Sequence, residues 1–305
     1  MKVIIVIVTF NGMKWLKKCM DSCKAYTVVV VDNGSTDDSV NFIKTNYNNV
    51  HVIESSENLG FGKANNIGIS YALSQNAESV FLLNQDAYLV DDVLDKLCDV
   101  QKTHSDYGIL SPVHVNGAQD KLDFYFSNYV SNTKNPFFYS DHVLNNQLKE
   151  VYVVPFVNAA AWLISKACLE KVGGFDPLFF HYSEDNNYCQ RVAYHGFKIG
   201  VVPKSYIIHD RKEGKPQKMK PYSPKFYEWK ERLYKSNFAN INNDDPQELY
   251  KIETKKLQVL LVKAFIKLDF KTYKGLIIQR KKLKALMPGI LKSYNTNKIQ
   301  QSHYL

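Results

Sequence analysis

The chain has little cysteine, and what it has is not paired: five residues, at positions 19, 23, 98, 168 and 189, with no CxxC among them. An odd count at such spacing argues against a disulfide framework and for reduced thiols in a cytosolic compartment. Long apolar runs are also missing. The longest near the start, residues 3–8, has six members, short of the roughly 7 to 15 of a signal segment or the roughly 18 of a membrane span. Neither is expected. There is no internal repeat, which excludes solenoid and collagen-like arrays.

What is present is a soluble composition of 305 residues, 45% apolar and 23% charged. That suits one large domain or a domain with an appendage, and it excludes disorder. The net charge of +9 is unevenly spread. Residues 1–210 carry 17 basic against 22 acidic side chains, and residues 211–305 carry 22 against 8. Two regions with different partners are expected.

Residues 3–8 and 27–31 are β-branched runs that end in polar turn residues, as buried parallel strands do. Between them Trp15, Leu16, Cys19, Met20 and Cys23 fall at helical spacing. A second helix opens at Asp37-Asp38-Ser39. Further strands are predicted at 51–53 and 80–83, with a Gly/Asn-rich loop at 57–62 and a helix at 64–73. This rhythm predicts an open, mostly parallel sheet with helices on both faces, and ligands beyond the carboxyl ends of its strands. Residues 113–150 show no period and read as an irregular insertion. A strand at 152–157, helices near 166–172 and 185–195, and a strand at 198–202 follow. Residues 210–224 read as a mobile basic loop. Helices come after it, with Leu257, Leu260, Leu261, Ala264, Phe265 and Leu268 on one face.

Several residues can carry chemistry. Asp32 ends a four-valine strand and stands at the predicted crevice, where a carboxylate accepts hydrogen bonds from a base or a ribose. Asp-Asn-Gly is equally good turn chemistry. Asn84-Gln85-Asp86 follows the strand at 80–83, and a carboxylate at a strand mouth can hold a hard divalent cation against substrate phosphates. The alternative, a cap for the next helix, is already served by Asp91 or Asp92. Glu184 and Asp185 open a helix after the aromatic run Phe179-Phe180-His181-Tyr182, which would shield them from water. They read as a general base over a bound sugar or as a capping pair. His209 alone is more readily structural than a ligand.

Together these stretches resemble the inverting nucleotide-sugar transferases of glycosyltransferase family 2, whose fold is called GT-A. The likeness runs through residues 3–11, 29–37, 57–66 and 82–86, resumes at Gly173-Gly174-Phe175-Asp176 with Glu184-Asp185, and closes at Pro203 and His209. Each motif is weak alone; their order and spacing make the set strong. The resemblance implies an α/β fold of GT-A type at 1–210, a mostly parallel open sheet flanked by helices, with a basic, mainly helical C-terminal extension at 211–305. It implies that Thr9 and Asp32 contact base and ribose, that Asn11 and Asn58 shape the same pocket, and that Lys63 lies near the phosphates. Asp86 would bind Mg²⁺ or Mn²⁺, with His209 as a second ligand or a phosphate contact. Asp185 would deprotonate the acceptor hydroxyl, with Glu184 orienting a sugar beside it. Where many relatives carry Asp-x-Asp this chain has Asn84, which takes a donor contact and leaves a weaker cation site. The sequence looks most like the rhamnosyltransferase-like branch. The implied reaction moves a sugar from a UDP- or dTDP-linked donor to a glycan or lipid-linked acceptor in surface polysaccharide synthesis.

Asn158, Ala159 and Trp162 are candidates for the acceptor side, although core packing explains Trp162 equally well. The basic region, with its apolar faces edged by lysines, fits a helix on an anionic membrane at the inner face of the cell, or faces packed on the catalytic domain or a second subunit. Two other readings are carried: a nucleotidyltransferase acting on sugar phosphates, against which the lack of an arginine and glycine run after residue 9 counts, and nucleic-acid binding by the tail, for which no recognised motif appears.

Overall fold

A computed structural model describes residues 1–211 and 219–305. The chain divides into two compact units, residues 1–213 with 300–305 and residues 214–299. Of the mobile loop expected at 210–224, residues 212–218 lie outside the described residues.

The first unit begins with four strands, β1 (Val3–Thr9), β2 (Thr27–Asp32), β3 (His51–Glu54) and β4 (Ser79–Asn84), linked by helices α1 (Met13–Ser22), α2 (Ser39–Asn46) and α3 (Phe61–Ser74). Next come β5 (Ala87–Leu89), α4 (Val93–Thr103), β6 (Tyr107–Asn116), α5 (Phe124–Tyr129) and α6 (Pro136–Val143). The unit continues with β7 (Tyr152–Val153), β8 (Ala161–Ser165), α7 (Lys166–Val172), α8 (Glu184–Tyr194) and β9 (Lys198–His209). The sheet runs β3-β2-β1-β4-β8-β6-β9-β5, with β7 paired to β9. Its first four strands are parallel. Beyond β4, β8 runs antiparallel to both its neighbours, and β9 is parallel to β6 but antiparallel to β5 and β7.

The apolar runs dictate this core. Alternate β1 residues face opposite layers: Ile4 and Val6 pack with α3 and α8 residues, Ile5 and Ile7 with Leu16 and Met20 of α1. Gly68 of α3 permits the first approach, since a Cβ there would stand 2.3 Å from Val6 Cγ1. The register sets Thr9 opposite Asp32 and Val8 opposite Asn84. The carboxyl ends of β1, β2 and β4 are therefore level, and the residues after them share one rim.

Three elements differ from the sequence expectation. The strand expected at 152–157 shortens to Tyr152–Val153, and the central strand is β8. The insertion holds two short capped helices. Asp123 accepts the N–H groups of Tyr125 and Phe126, and Asn135 accepts that of Phe138 with Pro136 in the first turn. Residues 300–305 fold onto the first unit rather than with the basic region: Gly174 N–H donates to His303 O, and Gln301 N–H to Lys171 O. Gly173, at φ +84°, leaves them room, because a Cβ would meet His303 O at 2.3 Å.

The second unit contains α9 (Pro224–Phe238), α10 (Pro246–Ile266) and α11 (Phe270–Asn297). Tyr227, Tyr234 and Phe238 of α9, Leu257, Leu261 and Ala264 of α10, and Leu276, Leu283 and Ile290 of α11 are buried. Half of the expected apolar face on α10 is thus internal, whereas Leu260, Phe265 and Leu268 stand in solvent. Among the described residues no helix is long and apolar enough to cross a membrane.

Candidate active site

A cleft of about 400 Å³ opens at the level rim of β1, β2 and β4. Each strand delivers residues at or just past its carboxyl end: Phe10 after β1, Asn33 after β2, and Asn84, Gln85 and Asp86 at the end of β4. Asn58, Gly60 and Phe61 form one wall, and Phe180 and His181 close the side towards α8.

The walls are held by side-chain amides. Asn58 Oδ1 accepts from Asn33 Nδ2 at 3.1 Å and from Gly60 N–H at 2.9 Å, while Asn33 Oδ1 accepts from Leu59 N–H at 2.8 Å. Gly60 has φ +81°, and a Cβ there would lie 2.1 Å from the Phe180 carbonyl oxygen. Gly60→Ala therefore combines a left-handed backbone with a main-chain clash. It should destabilise the first unit by about 2 kcal/mol or more, read as a lower urea midpoint. A midpoint equal to wild type would mean that this wall yields freely.

Asp32 is buried, and its two oxygens differ. Oδ2 accepts the Ser35 N–H at 3.0 Å, which is the turn reading, while Oδ1 is buried without a hydrogen-bond partner. A lone buried acceptor costs about 1–3 kcal/mol, and a donor group from a ligand would relieve it. The turn reading accounts for one oxygen and leaves the other available as an acceptor.

Asp86 stands beside a chain of ionisable side chains. His209 lies between two carboxylates, with Nε2 3.5 Å from Asp86 Oδ1 and Nδ1 3.6 Å from Asp123 Oδ2. Asp123 also receives the Arg211 Nε–H at 2.7 Å. Burial raises the Asp123 pKa, but Arg211, the Phe126 N–H and His209 outweigh it and hold the carboxyl below its ordinary range. A separation of 3.5 Å between Asp86 oxygen and His209 nitrogen suits neighbouring ligands of one cation with bonds of about 2.1 Å. A ligating histidine usually donates its second ring N–H to a carboxylate; here Asp123 stands in that direction, but at 3.6 Å it makes no hydrogen bond to Nδ1. The donor set fits a hard divalent cation. Among the described residues no group of three or more His, Cys, Asp or Glu side chains is disposed to hold one, so the remaining ligands would be substrate and water.

Asp185 sits in the first turn of α8, behind two consecutive left-handed residues, Tyr182 at φ +66° and Ser183 at +75°. Its Oδ1 accepts the Asn186 N–H at 2.8 Å, and the Ala159 N–H points to the same carboxyl. Desolvation nevertheless wins, and the pKa is pushed up to about 6. Ser183 makes no side-chain cap, and the Asp185 carboxyl itself takes a first-turn N–H, in keeping with the capping reading. Glu184 is buried, with its Cβ 3.8 Å from the position a Gly62 side chain would take.

Not every expected residue reaches the cleft. Asn58, Asn84 and Asp86 line it; Asp32 stands next to the lining Asn33, His209 behind Asp86, and Glu184 and Asp185 follow the lining His181 without lining it themselves. Thr9 is fully buried and donates to Gln85 Oε1 at 2.8 Å, so its side chain secures a neighbour instead of contacting a base. Asn11 Oδ1 accepts from the Thr36 and Asp37 N–H groups, tying together the loops after β1 and β2. Lys63 lines a separate cavity with Asn66, Ser70, Pro177 and Tyr304, because its place on α3 turns it away from the rim. Trp162 is wholly buried, stacked on Phe175 with ring centres 6.1 Å apart and tilted against Tyr188 at 5.8 Å, which makes it core and not acceptor surface. Of the aromatic run, Phe179 is buried while Phe180 and Tyr182 are exposed.

The sequence reading missed Gln85, whose amide clips the end of β1 by accepting from Thr9 and the Phe10 N–H. Gly12 was its signal, since any Cβ there would fall 2.5 Å from Gln85 Oε1. Asp123 and Arg211 were missed as well, their partnership spanning 88 residues of sequence.

Against known families, residues 4–173 match the model of Glycosyl transferase family 2. The chain belongs to that family. It is a glycosyltransferase, and its fold is of the GT-A type. The dTDP-rhamnosyl transferase RfbF of Shigella flexneri is 29% identical over 212 residues, covering 67% of each chain. The N-acetylglucosaminyl-diphospho-decaprenol L-rhamnosyltransferase of Mycobacterium tuberculosis is 22% identical over 232 residues, 68% of this chain and 75% of that one. Among solved structures, S. aureus TarS 1-349 in complex with UDP-GlcNAc superposes with a TM-score of 0.58 at 16% identity, over 98% of this chain and 90% of that one. Membership of the family, with relatives of this kind, supports sugar transfer in glycan synthesis from a nucleotide-sugar donor.

Proposed function

We propose that the chain is an inverting, divalent-cation-assisted transferase that moves a sugar, rhamnose or a related hexose, from a UDP- or dTDP-linked donor to a hydroxyl of a glycan or lipid-linked acceptor. The observation that carries this reading is the rim itself: three parallel strands end level and deliver Asn33, Asn84 and Asp86 to one cleft. The relatives named above, one acting with a dTDP-sugar and one on a diphospho-decaprenol acceptor, support the choice of donor and acceptor class.

On this reading the amide wall of Asn33 and Asn58 frames the nucleotide, and Asp32 Oδ1 accepts a hydrogen bond from base or ribose. Asp86 and His209 would hold Mg²⁺ or Mn²⁺, with Asp123 orienting the imidazole. The bound ion supplies Lewis acidity that offsets charge on the departing diphosphate. Asp185 takes the proton from the acceptor hydroxyl, whose oxygen attacks the anomeric carbon as the bond to the diphosphate breaks. One displacement inverts that carbon, so no covalent sugar–enzyme nucleophile is required. An aspartate poised near pH 6 suits the task, being ionised at neutral pH yet more basic than an exposed carboxylate.

The test is a panel of UDP-, dTDP- and GDP-sugars with a polyprenyl diphospho-sugar acceptor, scoring released nucleoside diphosphate with and without Mn²⁺, and reading the product's anomeric configuration by NMR. Release confined to UDP- or dTDP-sugars, enhanced by Mn²⁺ and giving an inverted product, is expected. A retained configuration, or rates indifferent to chelator, would overturn the mechanism.

A further inference from the structure

The second unit ends its α10–α11 hairpin in an unusual way. Phe265, Ile266, Leu268 and Phe270 are 60%, 72%, 68% and 58% exposed, next to Val262 at 48%. Their neighbours Leu261, Ala264 and Leu276 are already buried in the helical core, and beyond the Phe265–Tyr273 ring contact at 6.1 Å these mostly exposed side chains add little to the unit's own packing. Single exposed apolar residues are ordinary, but a contiguous group at one tip is not.

The turn adds a second sign. Leu268 occupies the left-handed region at φ +55°. The helix closes around it through Lys267 N–H to Lys263 O at 3.1 Å and Asp269 N–H to Ala264 O at 2.9 Å. Glycine or asparagine is the residue such a helix end favours. Here a leucine takes a costly backbone and a wet side chain together, although glycine would close the same turn.

Charge identifies the occupant. Lys263, Lys267, Lys271 and Lys274 alternate with the apolar residues and are all exposed. The sole acid between residues 254 and 299 is Asp269, committed to capping α11 by accepting the Thr272 N–H at 3.0 Å. Protein interfaces deplete lysine at their centres. Apolar knobs interleaved with lysines suit a bilayer surface, where the rings and branched chains enter below the headgroups while the ammonium groups stay among lipid phosphates.

We propose that this tip, residues 262–274, docks on an anionic lipid bilayer and lies in its interface without crossing it. The surface belongs to the helical unit alone and does not depend on the assignment of the transfer reaction.

The test is co-sedimentation of the full chain with vesicles of phosphatidylcholine alone or with 30% phosphatidylglycerol, for wild type, Leu268→Gly, and the triple variant Phe265→Ser, Ile266→Ser, Phe270→Ser. Helical content by circular dichroism and sedimentation velocity are measured alongside. Wild type should pellet at least tenfold more with the anionic vesicles, and 0.5 M NaCl should lower that fraction. Leu268→Gly should pellet less while melting no lower than wild type, since glycine suits the turn, and the triple variant should remain in solution with its helical content kept. Wild type left in the supernatant, equal pelleting with both vesicles, or triple-variant binding like wild type would each overturn the proposal. So would a wild-type dimer that the triple variant dissociates, because a second copy would then be what covers the tip. These readouts need no sugar transfer, so they stand or fall separately from the enzymatic tests.

Discussion

Asp185→Asn should lower the transfer rate by about 10³-fold while leaving nucleotide-sugar affinity nearly unchanged. The substitution keeps an Oδ1 that can accept the Asn186 and Ala159 N–H groups, so the start of α8 stays in place and only proton acceptance is lost. Single-turnover rates and isothermal titration with donor would separate the two quantities. A variant retaining more than a few per cent of the rate would remove Asp185 from the mechanism. In the wild type, activity should fall on the acid side with a midpoint near pH 6, where burial places this carboxyl.

The same substitution makes a stability prediction of opposite sign to its effect on rate. The folded pKa of about 6 lies above the ordinary value of 3.8, so the native state binds a proton that the unfolded chain has already released between those values. The ionised form therefore weakens the fold fully above pH 6, progressively less between 6 and 4, and not at all below. A shift of this size corresponds to about 3 kcal/mol if undiminished. Because the residue is only half-buried, about 1–2 kcal/mol is the fair expectation after solvent screening. Asp185→Asn should thus melt higher than wild type at pH 7.5 and equal to it at pH 4. A gain that is the same at both pH values would be a packing effect, and the desolvation account would fail.

How much of this could be read in the sequence depends on where the determinants lie. β1, β2 and β4 were legible because each is a run of apolar residues covered on both faces, and their ends mark the rim without tertiary information. Asp86 follows from that rim. Lys63 was misplaced because motif order gives neighbours along the chain but not the face of α3 on which a side chain stands. Trp162 stayed undecided between acceptor side and core for want of β8, whose five residues are too few to announce a period and whose antiparallel entry between β4 and β6 breaks the βα rhythm. The helices of the insertion did carry local signals, Asp123 and Asn135-Pro136 being good first-turn chemistry, but their short cores hid the 3.6-residue period.

Asp86→Ala should abolish the response of the rate to Mg²⁺ or Mn²⁺ and cost about 10²-fold or more in turnover, by the size of effect a lost electrostatic contact at a leaving group produces. The reason is local. Asp86 is the one cleft-lining carboxylate among the described residues, and Asn84 beside it offers a neutral oxygen, so no second anion takes over. Asp123→Asn provides the contrast, since it touches no cleft residue directly and acts through His209 and Arg211. It should weaken cation affinity by about 10–100-fold, as loss of an orienting partner does, while the maximal rate at saturating Mn²⁺ recovers most of its wild-type value. Titrating the rate of each variant with Mn²⁺ distinguishes the roles: a curve displaced to higher concentration for Asp123→Asn, and a flat one for Asp86→Ala. If Asp86→Ala titrated like wild type, the cation would be held elsewhere. If Asp123→Asn lost its maximal rate as well, the chain from Asp86 through His209 and Asp123 to Arg211 would be shaping the cleft itself instead of tuning one ligand.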